Sequence, residues 1–212
     1  MSGERSPTLR ELQPPEDSEE LPLLRRTIEM QVFEREGYHV VIGSLHDQRP
    51  WASGQVGPRD VHHMELGIVV RCADLVIVDA SATMGRFPHP ECPTIEDSFS
   101  DLIGVSVARG YTRAVQDRFG RERGCSHLEF LARALGPVVI QAVTAAGARR
   151  MENGEVDVLV GGGLEWLADT CHIWSENGIG MQKLAAEWRP GRGEYPAPSL
   201  VEIRRRHEPR PG

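Results

Sequence analysis

Four short stretches in which apolar and polar residues alternate, followed by a region in which apolar residues return every third or fourth place, constrain this chain most. The alternation covers residues 27–33, 38–45, 64–71 and 75–82, and Gly, Asp and Pro separate the stretches. Alternation puts successive side chains on opposite faces of a strand, so the pattern predicts an antiparallel meander of four strands. Residues 72–74 are short enough for the tight turn joining the last two strands. Residues 48–59, with two Pro and two Gly, read as a loop between the second and third. Beyond Pro93 the period changes. Thr94 can cap a helix with Ile95, Phe99, Leu102 and Ile103 on one face, ended by Gly104. A second helix is expected over residues 111–119, stopped by Gly120. Ser126 with Glu129 has the spacing of a capping box and opens the longest helix, along which Leu128, Leu131, Leu135, Val139, Ala142, Val143 and Ala146 recur at helical spacing. Pro137 inside it predicts a kink. Residues 152–163 have no helical period and read as either a short strand over 156–160 or a loop ending in three glycines. The expected fold class is therefore α+β, a meander followed by helices packed on one face of the sheet.

With 212 residues, 40% of them hydrophobic, the chain can bury one ordinary core. Its expected organisation is a flexible, acidic, Pro-rich tail over 1–23, a single α+β domain over 24–190 and an Arg/Pro-rich tail over 191–212. A formal net charge of -7 argues against a general affinity for nucleic acid. No uninterrupted apolar run reaches the roughly 18 residues of a membrane span, and the N-terminus lacks the apolar core of a secretion signal, so a cytoplasmic protein is expected. In that compartment four cysteines point to reduced thiols, and hence to metal or redox chemistry, before a disulfide frame.

Three of those cysteines carry the chemistry. Cys92 lies in P-H-P-E-C-P, Cys125 in R-G-C-S-H and Cys171 in D-T-C-H; their separations of 33 and 46 residues are not a local finger pattern, so only the fold could unite them. Cys125 precedes the long helix, where unpaired N–H groups and the dipole favour a thiolate. Cys92 falls at another loop-to-helix junction. His127 and His89 lie within three residues of these thiols, and His172 is adjacent to Cys171. Cys92, Cys125, Cys171 and His172 are the expected metal ligands. Of His62 and His63, alternation turns one toward a site and the other to solvent; His63 is taken, with His127 and Asp169, as an expected proton carrier or orienting group. Cys72, which has no histidine near it, is read as structural. The V-G-G-G-L run at 160–164 lacks the residues of a phosphate loop and reads as a turn.

The residues Arg25-Arg26-Thr27, Gly37-Tyr38, His62 to Met64, Cys92-Pro93, Arg123 to Leu128 and Asp169 to His172 together resemble the bacterial domain-of-unknown-function 2889 family, over most of residues 24–190. That family implies no activity. More distantly, a meander, a cysteine after its last strand and another at the start of a long amphipathic helix is similar to the iron-sulfur scaffold proteins of the NifU and SufU type. The similarity implies that Cys92 and Cys125 take the first and last cysteine positions. It departs at the middle cysteine, where this chain offers histidines.

Two functions are open. In the first, a Cys/His-bound zinc or iron ion with an open position serves a metal-dependent lyase or hydrolase as Lewis acid on a small carbonyl- or carboxylate-containing metabolite, with Arg113 or Arg123 available to pair a carboxylate. In the second, a non-catalytic metal- or sulfur-handling scaffold uses a closed ligand set. The partners expected are a small-molecule substrate and, optionally, a second copy in a homodimer; no nucleic acid or membrane is expected.

Overall fold

The alternating stretches become strands because one residue in two can be buried. The computed structural model describes residues 6, 8–16, 18–155, 168–189 and 194–207, and in it β1 (Arg25–Arg35), β2 (Tyr38–Gln48), β3 (Asp60–Arg71) and β4 (Ile77–Arg86) form one antiparallel sheet in the order β1-β2-β3-β4. The buried partners are Val41 and Leu45 of β2, Met64, Leu66, Ile68 and Val70 of β3, and Ile77, Ala80, Ala82 and Met84 of β4. Gly37 makes the first hairpin possible, since its φ of 77° suits a residue without Cβ. Every strand but β4 reaches further toward one end of the sheet than its apolar alternation does, and β4 itself is displaced that way, starting at Ile77 and running to Arg86.

The chain divides into two compact units, residues 1–142 and 143–212. The first contains a short helix, α1 (Leu9–Leu12), the sheet, α2 (Tyr111–Phe119) and the leading half of α3 (Ser126–Glu152), which continues past Pro137 and across the division. Leu128, Leu131, Ala132, Leu135 and Val139 of α3 are wholly buried in the same core as the sheet. At Gly43 the helix comes so close that a Cβ there would lie 3.0 Å from Leu135 Cδ2. By length and composition α3 could cross a membrane, but its leading half is the core helix of this sheet.

The helix expected over 94–103 is instead a 3-10 segment, Cys92–Leu102. The hydroxyls of Thr94, Ser98 and Ser100 each donate to the carbonyl three residues back, at 2.8, 2.7 and 2.7 Å, and so compete for the acceptors that a continuing α-helix would use. Cys92 therefore opens the segment, and Phe99 and Leu102 are its buried residues. Glu129 carries no capping bond to Ser126 among the described residues. Its N–H meets the carbonyl of Cys125 at 2.8 Å, which makes Cys125 the residue that caps α3, and its carboxylate pairs with Arg133.

In the second unit lie the helices Ile179–Ala185 and Leu200–His207, the latter opened by a capping box between Ser199 and Glu202. The stretches at 156–160 and 160–164, read above as strand or glycine turn, lie outside the described residues.

Candidate functional site

At the end of the sheet where β1, β2 and β3 outrun their apolar residues, the core-facing places go to polar side chains. Register pairs Arg26 with Asp47 and Asp47 with His62, so one rung across three strands carries a guanidinium, a carboxylate and an imidazole. Arg26 grips Asp47 with both prongs, Nε to Oδ1 and Nη2 to Oδ2, each at 2.7 Å. His62 Nδ1 stands 3.1 Å from Oδ2. The fourth member comes from the first turn of α3: His127 Nε2 is 3.4 Å from the same oxygen, and its ring lies against that of His62 with centroids 4.0 Å apart. On the far side of the His127 ring, Nδ1 faces Cys125 Sγ at 3.8 Å.

The Asp47 side chain is only 3% exposed. Its hydrogen bond to Arg26 holds its pKa below the ordinary 3.8, against the opposing effect of burial; the charge of Arg26 and the two imidazoles act in the same direction as the bond. Burial, and then the neighbouring His62 and Arg26, push His127 below 6.5, with Asp47 opposing. A neutral His127 can present a lone pair.

Two imidazoles and a carboxylate are a ligand set for zinc or iron(II). Donors arranged tetrahedrally at zinc–ligand distances stand about 3.3 Å apart. The contacts of 3.1 and 3.4 Å from Asp47 Oδ2 to the two imidazoles match that spacing. Without an ion the same atoms form a proton chain: Cys125 S–H toward His127 Nδ1, and Nε2–H toward Asp47.

Cys125 also lines a cavity of about 510 Å³ with Met84, His89, Glu91, Cys92 and Ile95. Two of the thiols singled out in the sequence thus share one cavity; Asp47, His62 and His127 do not line it, and Cys125 touches the cluster only through the outer edge of the His127 ring. His63 goes elsewhere. It lies on the opposite face of β3, paired in register with His46 and Arg86, with its ring centroid 5.2 Å from that of His46. Asp169, Cys171 and His172 are exposed and belong to the second unit, where Asp169 Oδ1 accepts the Glu176 N–H at 3.1 Å and the carbonyls of Cys171 and His172 accept bonds from Trp174 and Ser175. Arg113 and Arg123 line a separate cleft with Gln116 and Glu129, and Arg113 pairs with Asp117. Among the described residues, Asp47, His62 and His127 are the group of three donors lying together, all within 4.8 Å of one another. Arg26, Asp47 and His62 escape a reading based on apolar period. Their signal is the continuation of the strand period, residue by residue, into polar side chains.

Fold and site together define an α+β protein with a four-stranded meander and a half-buried His/Asp cluster beside a thiol-lined cavity. The chain belongs to the DUF2889 family, described as a protein of unknown function, whose match spans residues 24–141, more than half of the 212 residues. No curated protein and no solved structure matches it.

Proposed function

We propose that this protein is a metal-dependent enzyme in which Asp47, His62 and His127 hold one zinc or iron ion that acts as a Lewis acid on a small carbonyl compound. The observation carrying this reading is the convergence of the three donor atoms within 4.8 Å on the core face of the sheet. Three protein ligands leave a coordination place for substrate or water, as catalytic ions require. Arg26 holds the carboxylate in position. The adjoining cavity has no Lys or Arg in its lining among the described residues and includes Glu91, so it suits a neutral carbonyl compound better than a carboxylate. When bound, the ion would polarise the carbonyl.

A second reading, a non-catalytic metal- or sulfur-handling scaffold of the NifU/SufU kind, draws on the single cavity that Cys92 and Cys125 share, at the two cysteine positions of that resemblance. Metal analysis of purified variants separates the two. His62→Ala and Asp47→Asn should each abolish binding of close to one transition metal per chain while Cys92→Ser leaves it intact; loss in Cys92→Ser and retention in His62→Ala would move the site to the thiols.

A further inference from the structure

On the opposite face, at the same end of the sheet, a second cleft of about 530 Å³ is lined by Arg49, Arg59, Asp60, Arg86, Phe87 and Pro88 among others. Its geometry follows from the strand ends. Arg49 N–H donates to the Arg59 carbonyl at 2.8 Å, closing the loop between β2 and β3 and bringing two arginines to its base. Arg86 ends β4, opposite His63. Among the described residues none of the three guanidinium groups forms an ion pair. The one carboxylate in the lining, Asp60, meets His46 at 2.9 Å and accepts from Gln48 at 2.8 Å, and the charge of Arg86 acts on it without direct contact. Three guanidinium groups around one cleft repel one another. In a chain whose net charge is -7 they are also not part of a general basic field.

We propose that this cleft binds the dianionic phosphate of a small phosphate ester. Three positive charges and one carboxylate leave a surplus that a phosphate monoester neutralises and a carboxylate does not. The fork of each guanidinium matches phosphate oxygens in pairs, and Phe87 offers an apolar wall to the esterified group. The site is independent of any ion at Asp47, His62 and His127.

Isothermal titration of the full-length protein with phenyl phosphate, inorganic phosphate and benzoate tests this. Phenyl phosphate should bind, more tightly than benzoate, and Arg49→Gln and Arg86→Gln should each weaken it about tenfold, the worth of a charged hydrogen bond. Arg113→Gln, in the separate cleft, should bind as wild type does. Thermal unfolding verifies that each variant is folded, and the exposed Arg59→Gln replaces any that is not. No binding at millimolar phenyl phosphate, equal weakening in Arg113→Gln, or benzoate binding as tightly as phenyl phosphate would overturn the proposal. Tighter binding of a single-stranded oligonucleotide or of anionic vesicles would overturn its assignment to a small ligand.

Discussion

Asp47 and Arg26 form one pair, but they are buried unequally, and the inequality decides what each substitution does. Arg26 is 37% exposed and can turn to water if its partner is lost; Asp47, at 3%, cannot. Removing the guanidinium strands a buried charge, whereas removing the charge of the carboxylate frees a cation that can rehydrate. Arg26→Gln should therefore cost about 3 kcal/mol of stability and Asp47→Asn about 1 kcal/mol, measured by urea unfolding. The reverse order would mean that the guanidinium is not what neutralises Asp47. His127 sets a pH dependence. Its folded pKa lies below 6.5, chiefly through burial. Between those two values the unfolded chain binds the proton and the folded chain does not, so stability is full above about pH 6.5 and falls as the pH drops toward the folded value. The depressed pKa of Asp47 adds a further loss only below about 3.8. Melting temperatures should decline from pH 7 to pH 5, and His127→Gln should flatten that decline; a decline persisting in the variant would assign it to another group.

At the scale of elements, the apolar period located all four strands, because each is set by side chains that bury hydrocarbon, and Gly120 marked the end of the helix at residues 111–119. The long helix does start at Ser126, but without, among the described residues, the Ser126–Glu129 capping bond from which the spacing predicts that start. The apolar period fell short where polar residues take core-facing places. β3 begins at Asp60, not near Met64, so His62 lies within the strand, opposite Asp47. The same limit hid the 3-10 segment, since hydroxyl bonds to the backbone leave no mark on hydrophobic spacing. Close approach was equally invisible. A Cβ at Gly136 in α3 would overlap the Tyr111 ring, and the Tyr111 hydroxyl donates to the Ala132 carbonyl at 2.7 Å. Alanine is the better helix former by about 1 kcal/mol. Even so, Gly136→Ala should destabilise the fold by about 2 kcal/mol in urea unfolding, because the ring must move and the hydroxyl lose its acceptor. A stabilised variant would show that the aromatic ring has room to yield.

For the whole molecule, the family match ends at residue 141 and the first unit at 142, so every member of the His/Asp cluster, together with Cys92 and Cys125, lies in the stretch that defines the family. Asp169, Cys171 and His172 lie beyond it. If the ion belongs to Asp47, His62 and His127, metal binding and folding of the first unit are linked, because the ligands meet only when β2 and β3 pair and the first turn of α3 packs on them. An ion that binds the folded chain alone adds about 2.7 kcal/mol when free metal is a hundredfold above the dissociation constant, worth roughly 5 to 10 °C in a chain of this size. Zinc added to chelator-treated protein at pH 7.5 should raise the melting temperature by such an amount. The gain should shrink toward pH 5.5 as protons compete for the imidazoles. It should vanish in His62→Ala and persist in Cys171→Ser. Loss in Cys171→Ser would bring the second unit's thiol into the ligand set, whereas a shift that survives in His62→Ala would place the ion outside the cluster.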